Sequence, residues 1–231
     1  MIRSLLFNFF FFGGVVVVCV IAIPALMLPP KITSLFGKIL GYWAVINLKL
    51  FLNCTIKVKG SENLVKNDKY FVASAHQSMF ETFFLQTIIR SPFFILKKEL
   101  FKVPLFGLFL KKMGSVAIVR SKTTKDNLGF LEEVAKKINQ NNRTLIIFPQ
   151  GTRTPINEKP AFKKGVGKIY ETLKIKCLPI ALKSGNVWPK HGFNKNIGNI
   201  TISILEPIEP GIEKEIFVKF PTLLTVRASS K

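Results

Sequence analysis

Two short clusters in the chain carry the residue types that chemistry needs. The first is Ala75-His76-Gln77-Ser78-Met79-Phe80-Glu81, which follows an apolar run at 70–75 that reads as a strand. A histidine at a strand end with a carboxylate five positions later is a candidate base with its orienting partner. On one continuous helix that spacing is about 500° of rotation, which points the two side chains apart. They meet only if His76 sits in the turn and Glu81 in the first turn of the next helix. Ser78-x-x-Glu81 is a capping-box pattern, with Ser78 at the N-cap and Glu81 at N3, and it supports that placement. The same pattern has a plainer account, in which Glu81 only caps.

The second cluster follows the apolar run Leu145-Ile146-Ile147-Phe148 and reads Pro149-Gln150-Gly151-Thr152-Arg153-Thr154. Glycine lets backbone approach a ligand, and the planar guanidinium suits bidentate contact with a phosphate. Phe162-Lys163-Lys164-Gly165 comes next, at the mouth of another helical pattern. Taken alone, these residues say that an anion is held near a strand end.

The elements that must position them are short. Apolar runs predict strands at 70–75, 93–96, 116–119, 144–148, 178–182 and 200–205, with helical patterns between them. The clearest helix is 124–139, with Leu128, Leu131, Val134 or Ala135, and Ile138 at helical spacing and Glu132–Lys136 and Glu133–Lys137 pairs on its wet side. A short helix broken by Pro221 is expected within 213–227. Strands alternating with helices predict an α/β fold, a mostly parallel or mixed sheet flanked by helices. The expected division is 1–55 as membrane-attaching helices and 56–231 as the α/β domain.

Residues 5–28 hold Asn8 as their one strongly polar residue. A helix of that length spans about 36 Å, enough for a bilayer core of about 30 Å. Pro24 kinks or ends it. The stretch is too long for the apolar part of a signal peptide, so an uncleaved anchor is expected, crossing or re-entering the bilayer. In the stretch 32–52, Ser34, Lys38, Gly41 and Lys49 fall on one stripe and apolar residues cover most of the rest. That pattern fits a helix lying in the interface or one buried against the domain. Arg3 is the lone charge before residue 31, and basic residues abound afterwards. The bias places the bulk of the chain on the cytosolic face of a membrane, such as a bacterial inner membrane.

Composition agrees with a membrane surface. Of 231 residues, 34 are Lys or Arg and 13 are Asp or Glu, a net charge of 34 − 13 = +21, yet 48% are hydrophobic. That much apolar material excludes bulk disorder. The chain has no recognisable nucleic-acid motif, and its apolar start argues against a nucleic-acid partner. Cys19, Cys54 and Cys177 are far apart, and His76 and His191 are the only histidines. Neither a disulfide framework nor a zinc site is expected. Residues 97–125 hold eight basic residues and one acid, Glu99. Such a face suits anionic headgroups and other acidic partners.

Together the clusters resemble the glycerolipid acyltransferase family that contains the 1-acylglycerol-3-phosphate acyltransferases. The family's first motif is His, four residues, then Asp, and here it reads HQSMFE from His76 to Glu81. The second is Lys97-x-Glu99-Leu100-x-x-x-Pro104-x-x-Gly107, then Gly114 and Arg120. The third, FPEGTR in the family, is Phe148-Pro149-Gln150-Gly151-Thr152-Arg153 here. The fourth is Leu178-Pro179-Ile180-Ala181-Leu182. Glu81 for Asp keeps the charge; Gln150 for Glu loses it.

The resemblance implies phospholipid biosynthesis: acyl transfer from an acyl carrier protein or coenzyme A thioester to the hydroxyl of lysophosphatidate, giving phosphatidate. His76 would be the base and Glu81 its partner. Gly151, Thr152 and Arg153, with Arg120 and Lys97, would bind the substrate phosphate. No cofactor beyond the thioester co-substrate is implied. Gln150 keeps open another acceptor, glycerol-3-phosphate or a lyso-ornithine lipid. A non-catalytic protein that binds anionic lipid is the remaining alternative.

Overall fold

A computed structural model describes residues 1–65, 68–118, 129–141, 143–156, 158 and 161–218. The helices are α1 (Ile2–Ile21), α2 (Pro30–Leu52), α3 (Phe80–Ile88), α4 (Phe106–Lys112), α5 (Phe130–Asn141), α6 (Lys164–Leu173) and α7 (Lys214–Val218). The strands are β1 (Thr55–Lys59), β2 (Tyr70–Ser74), β3 (Pro92–Lys97), β4 (Val116–Ile118), β5 (Thr144–Ile147), β6 (Lys176–Leu182) and β7 (Asn199–Ile204). They form one sheet in the order β1-β7-β6-β2-β5-β3-β4. β6, β2, β5, β3 and β4 run parallel, β7 runs antiparallel to β6, and β1 is parallel to β7. The expected α/β class, with a mixed sheet between helices, is what the chain adopts. β1 is the strand that the apolar runs do not mark. It is an edge strand, and its Lys57 and Lys59 face solvent.

Alternation along the central strands divides the core in two. Val72, Ile146, Leu178 and Ile180 face α2 and α3, with Leu48, Leu85 and Phe80 in the same cluster. Phe71, Ala73, Leu145 and Ile147 face the other way, against Val134, Ile138, Ile169 and Tyr170 of α5 and α6. Strands buried on both faces read as unbroken apolar runs, which is why β2, β5 and β6 were recognisable. The expected residues 124–128 of the fifth helix, and the chain after Val218, lie outside the described residues.

The chain turns at Pro24, as expected: α1 stops at Ile21 and a 3₁₀ turn spans Ile23–Met27. One face of α1 is seated on the domain. Phe7 and Phe11 are fully buried and meet Trp188 edge-on, each at 4.9 Å between ring centroids. Asn8 Nδ2 donates to the Phe193 carbonyl, and Ser4 Oγ donates to Lys195. The other face, with Leu5, Phe9, Phe12, Val16, Val17 and Val20, is exposed. By length and composition, α1 and the stretch Ile32–Leu52 of α2 are each apolar enough to cross a membrane.

α2 is rotated from the sequence expectation. Gly41, placed there on a polar stripe, is buried against α3, while Leu35, Ile39, Tyr42, Ile46 and Leu50 are exposed. Absence of a side chain, not polarity, selected the packed face. A Cβ on Gly41 would lie 2.5 Å from Thr87 Cγ2 and 2.6 Å from the Phe83 carbonyl oxygen. Gly41→Ala should therefore destabilise the fold by about 1–3 kcal/mol through overpacking. Gly13→Ala is the control: among the described residues, nothing beyond its own stretch of helix backbone lies within 4 Å of its added Cβ. It should be neutral or stabilising by up to about 1 kcal/mol. Thermal unfolding of both variants in detergent checks the contrast.

Candidate active site

The parallel strands β6, β2, β5 and β3 are adjacent, so their carboxyl ends open along one edge of the sheet. Ligands bind at that edge in open α/β sheets. His76 leaves β2, Gln150–Arg153 leave β5, Lys97 ends β3 and Ser184 leaves β6.

His76 lies in the turn before α3, and Glu81 is in that helix's first turn. His76 Nδ1 is 3.1 Å from Glu81 Oε1. The same oxygen accepts from the Gln77 and Ser78 backbone N–H groups, at 2.5 and 2.7 Å. Oε2 accepts from Ser78 Oγ and Ser184 Oγ, both at 2.8 Å. The capping box forms by half. Glu81 reaches back to the Ser78 N–H, but Ser78 Oγ accepts from Phe80 N at 2.9 Å, and the N-cap is Met79, one residue later than expected. Glu81 thus caps and also partners His76.

Glu81 is completely buried. Burial pushes its carboxyl up, but the hydrogen bond and charge of His76 and the bonds from Ser78 and Ser184 outweigh it. The group is held below the ordinary glutamate value. An ionised carboxylate only accepts, so Nδ1 carries the proton and Nε2 is left as the basic nitrogen. The imidazole lies against Phe148, with ring centroids at 4.1 Å and planes 19° apart. Its side chain is 16% exposed, enough for a substrate to reach.

The loop after β5 is tied to the same turn: Thr154 N and Oγ1 both donate to the His76 carbonyl, at 2.8 and 3.3 Å. Gly151 turns the chain at φ +71°, a region that favours glycine, and its N–H donates to the Phe148 carbonyl at 2.8 Å. Arg153 is half-buried and, among the described residues, gives one long bond, 3.4 Å from Nη1 to the Lys190 carbonyl, so most of its donors are unspoken for there. Thr152 is exposed beside it. Gln150 is buried, and its Oε1 has no partner among the described residues.

The structure therefore brings together His76, Glu81, Gln150, Gly151, Thr152 and Arg153. Lys97 stands at the same edge but is exposed and paired with Glu99 at 3.6 Å; no described contact joins it to the others. Arg120 lies outside the described residues. Sequence reasoning missed Gln77 and Ser184. Gln77 has no pattern beyond standing next to His76. Ser184 meets Glu81 across 103 residues, which no local spacing reveals.

Comparison with known proteins bears on this arrangement. A family model described as Acyltransferase matches residues 55–183. A 1-acyl-sn-glycerol-3-phosphate acyltransferase of Pseudomonas aeruginosa is 34% identical over 148 residues, 64% of this chain and 57% of that protein. One of Saccharomyces cerevisiae is 34% identical over 167 residues, 70% of this chain and 54% of that protein. The chain spans about half the length of the curated relatives it matches. The crystal structure of the 1-acyl-sn-glycerophosphate (LPA) acyltransferase PlsC from Thermotoga maritima has the same fold. Its TM-score is 0.75 at 24% identity, over 98% of this chain and 96% of that one. The matched region contains the His–Glu pair, the Gly-Thr-Arg loop and the strands that present them, and the chain belongs to the acyltransferase family.

Proposed function

We propose that this protein acylates the free hydroxyl of 1-acylglycerol-3-phosphate from an acyl carrier protein or coenzyme A thioester, giving phosphatidate. The observation that carries the reading is a buried Glu81 bonded to His76 at a strand end, one strand from Arg153. His76 Nε2 takes the hydroxyl proton as the oxygen attacks the thioester carbonyl. The imidazolium that forms is stabilised by Glu81, as in a Ser-His-Asp triad, with the substrate hydroxyl as nucleophile. The tetrahedral intermediate then expels the thiolate, the C–S bond breaks, and the proton passes from Nε2 to sulfur. Arg153 holds the acceptor phosphate. The exposed apolar faces of α1 and α2 seat the protein in a membrane, on the cytosolic side by its charge bias, where lysophosphatidate resides.

The orphaned Gln150 Oε1 favours a second reading, because a buried acceptor is satisfied by a ligand that brings an extra donor. Glycerol-3-phosphate brings a second hydroxyl and a lyso-ornithine lipid brings N–H groups. Competition assays with labelled lysophosphatidate and each rival acceptor, using both thioesters, decide between the readings. Preferential labelling of phosphatidate supports the first. Glycerol-3-phosphate or a phosphate-free acceptor that wins overturns it.

Arg153→Ala should raise KM for the phosphorylated acceptor about 10- to 100-fold, the worth of a charge-assisted hydrogen bond, with kcat near the parent value. Steady-state kinetics at varied acceptor concentration check it.

A further inference from the structure

The loop leaving β6 reaches both halves of the candidate site. We propose that Ser184 and Gln77 are positioning residues of the acyl-transfer centre, locking Glu81 so that His76 stays in one tautomer; this rests on the acyl-transfer reading of the site.

The contacts are reciprocal. Ser184 is fully buried and donates from Oγ to Glu81 Oε2 at 2.8 Å. What holds Ser184 there is the residue beside the base. Gln77 is 5% exposed, and its Oε1 accepts from the Ser184 and Gly185 N–H groups at 3.1 and 3.2 Å. Gln77 thus fixes the loop, and the loop fixes the partner of His76. Six residues on, the Lys190 carbonyl accepts from Arg153. One segment therefore sets the distance between the base and the phosphate contact.

The lock has a chemical purpose. When His76 takes a proton, Glu81 must neither rotate away nor accept that proton. Oε1 is fixed by His76 and two backbone donors, and Oε2 is fixed by two hydroxyls. Backbone donors alone would leave Oε2 unmatched on a fully buried carboxylate, a cost that the Ser78 and Ser184 hydroxyls remove. The fit is also specific to glutamate. The aspartate of the family pattern would hold its carboxylate about 1.5 Å short, one carbon–carbon bond, and Ser184 would no longer reach it. Ser184 and Glu81 are therefore a matched pair.

Kinetics and nitrogen NMR test the idea on detergent-purified full chain. The chain has two histidines, so ¹⁵N-histidine labelling gives two resolvable rings. Ser184→Ala should lower kcat about 10- to 100-fold with KM for the acceptor unchanged. The His76 signal should pass from one tautomer, protonated at Nδ1, to a mixture. Ser184→Thr, which restores the hydroxyl, should rescue both readouts. Gln77→Met, which keeps the volume and drops the acceptor, should reproduce the loss. Glu81→Asp and Ser184→Ala should combine with less than multiplicative effect, since each removes the same contact. Parental kcat with a single tautomer in Ser184→Ala overturns the proposal. So does a loss confined to KM. If the parent transfers no acyl group to any acceptor, the functional reading fails. The tautomer then decides alone: a mixture in Ser184→Ala upholds the positioning, and an unchanged single form overturns it.

Discussion

His76→Ala should lower kcat for acyl transfer by about 10²–10⁴-fold, the usual worth of a positioned general base. KM should change little, because the proposed phosphate contact, Arg153, lies on the neighbouring loop. Folding should survive. The ring is partly exposed, and Glu81 keeps four of its five donors, two from backbone and two from serine hydroxyls. Far-ultraviolet circular dichroism beside the kinetics separates the outcomes. A folded variant with parental kcat would remove His76 from the chemistry.

Glu81→Gln should be as severe for activity and worse for stability. A carboxamide offers one acceptor oxygen and sets an NH₂ against the Ser78 and Ser184 hydroxyls, whose protons lose their acceptor. At least one buried donor is stranded, at about 1–3 kcal/mol. The charge that favours the imidazolium disappears, and with it the preferred tautomer. The comparable triad change, carboxylate to amide, costs about 10⁴ in rate. A purely capping Glu81 would tolerate glutamine, which capping boxes accept. Full activity in Glu81→Gln would therefore return it to a structural role. The acid limb of stability is a second signature. The folded carboxyl titrates below its unfolded counterpart. Its stabilisation is complete above the unfolded value, about pH 4.3, and is lost as pH falls through the lower folded value. Urea unfolding of parent and Glu81→Gln should show a stability gap at pH 6–7 that narrows below about pH 4.

Much of this site was legible in the chain, and the physical reason is locality. His76, Glu81 and Ser78 lie within six residues, so a turn followed by a helix start fixes their geometry. Gly151 and Arg153 follow a run that only a doubly buried strand would carry. Long-range contacts were opaque. Ser184 and Gln77 are ordinary polar residues until β6 is laid beside β2. The polar stripe read on α2 divides: Lys49 is exposed, Ser34 and Lys38 are half-buried, and Gly41 is packed away. In fact Gly41 chose the seat on α3, and the opposite face is apolar and open. β1 escaped notice because a short edge strand with alternating lysines has little apolar signal.

The seating of α1 also gives the protein an optical probe. The chain has two tryptophans, and both abut this helix. Trp188 meets Phe7 and Phe11 edge-on, and Trp43 Nε1 donates to the Phe11 carbonyl at 3.3 Å. Trp188 also belongs to the loop that carries Ser184. Intrinsic emission therefore reports whether this helix is home, with no label attached. Lifting α1 would wet both indoles at once and shift the spectrum red, so vesicle composition, detergent and temperature can be screened in a cuvette for their grip on the α/β domain.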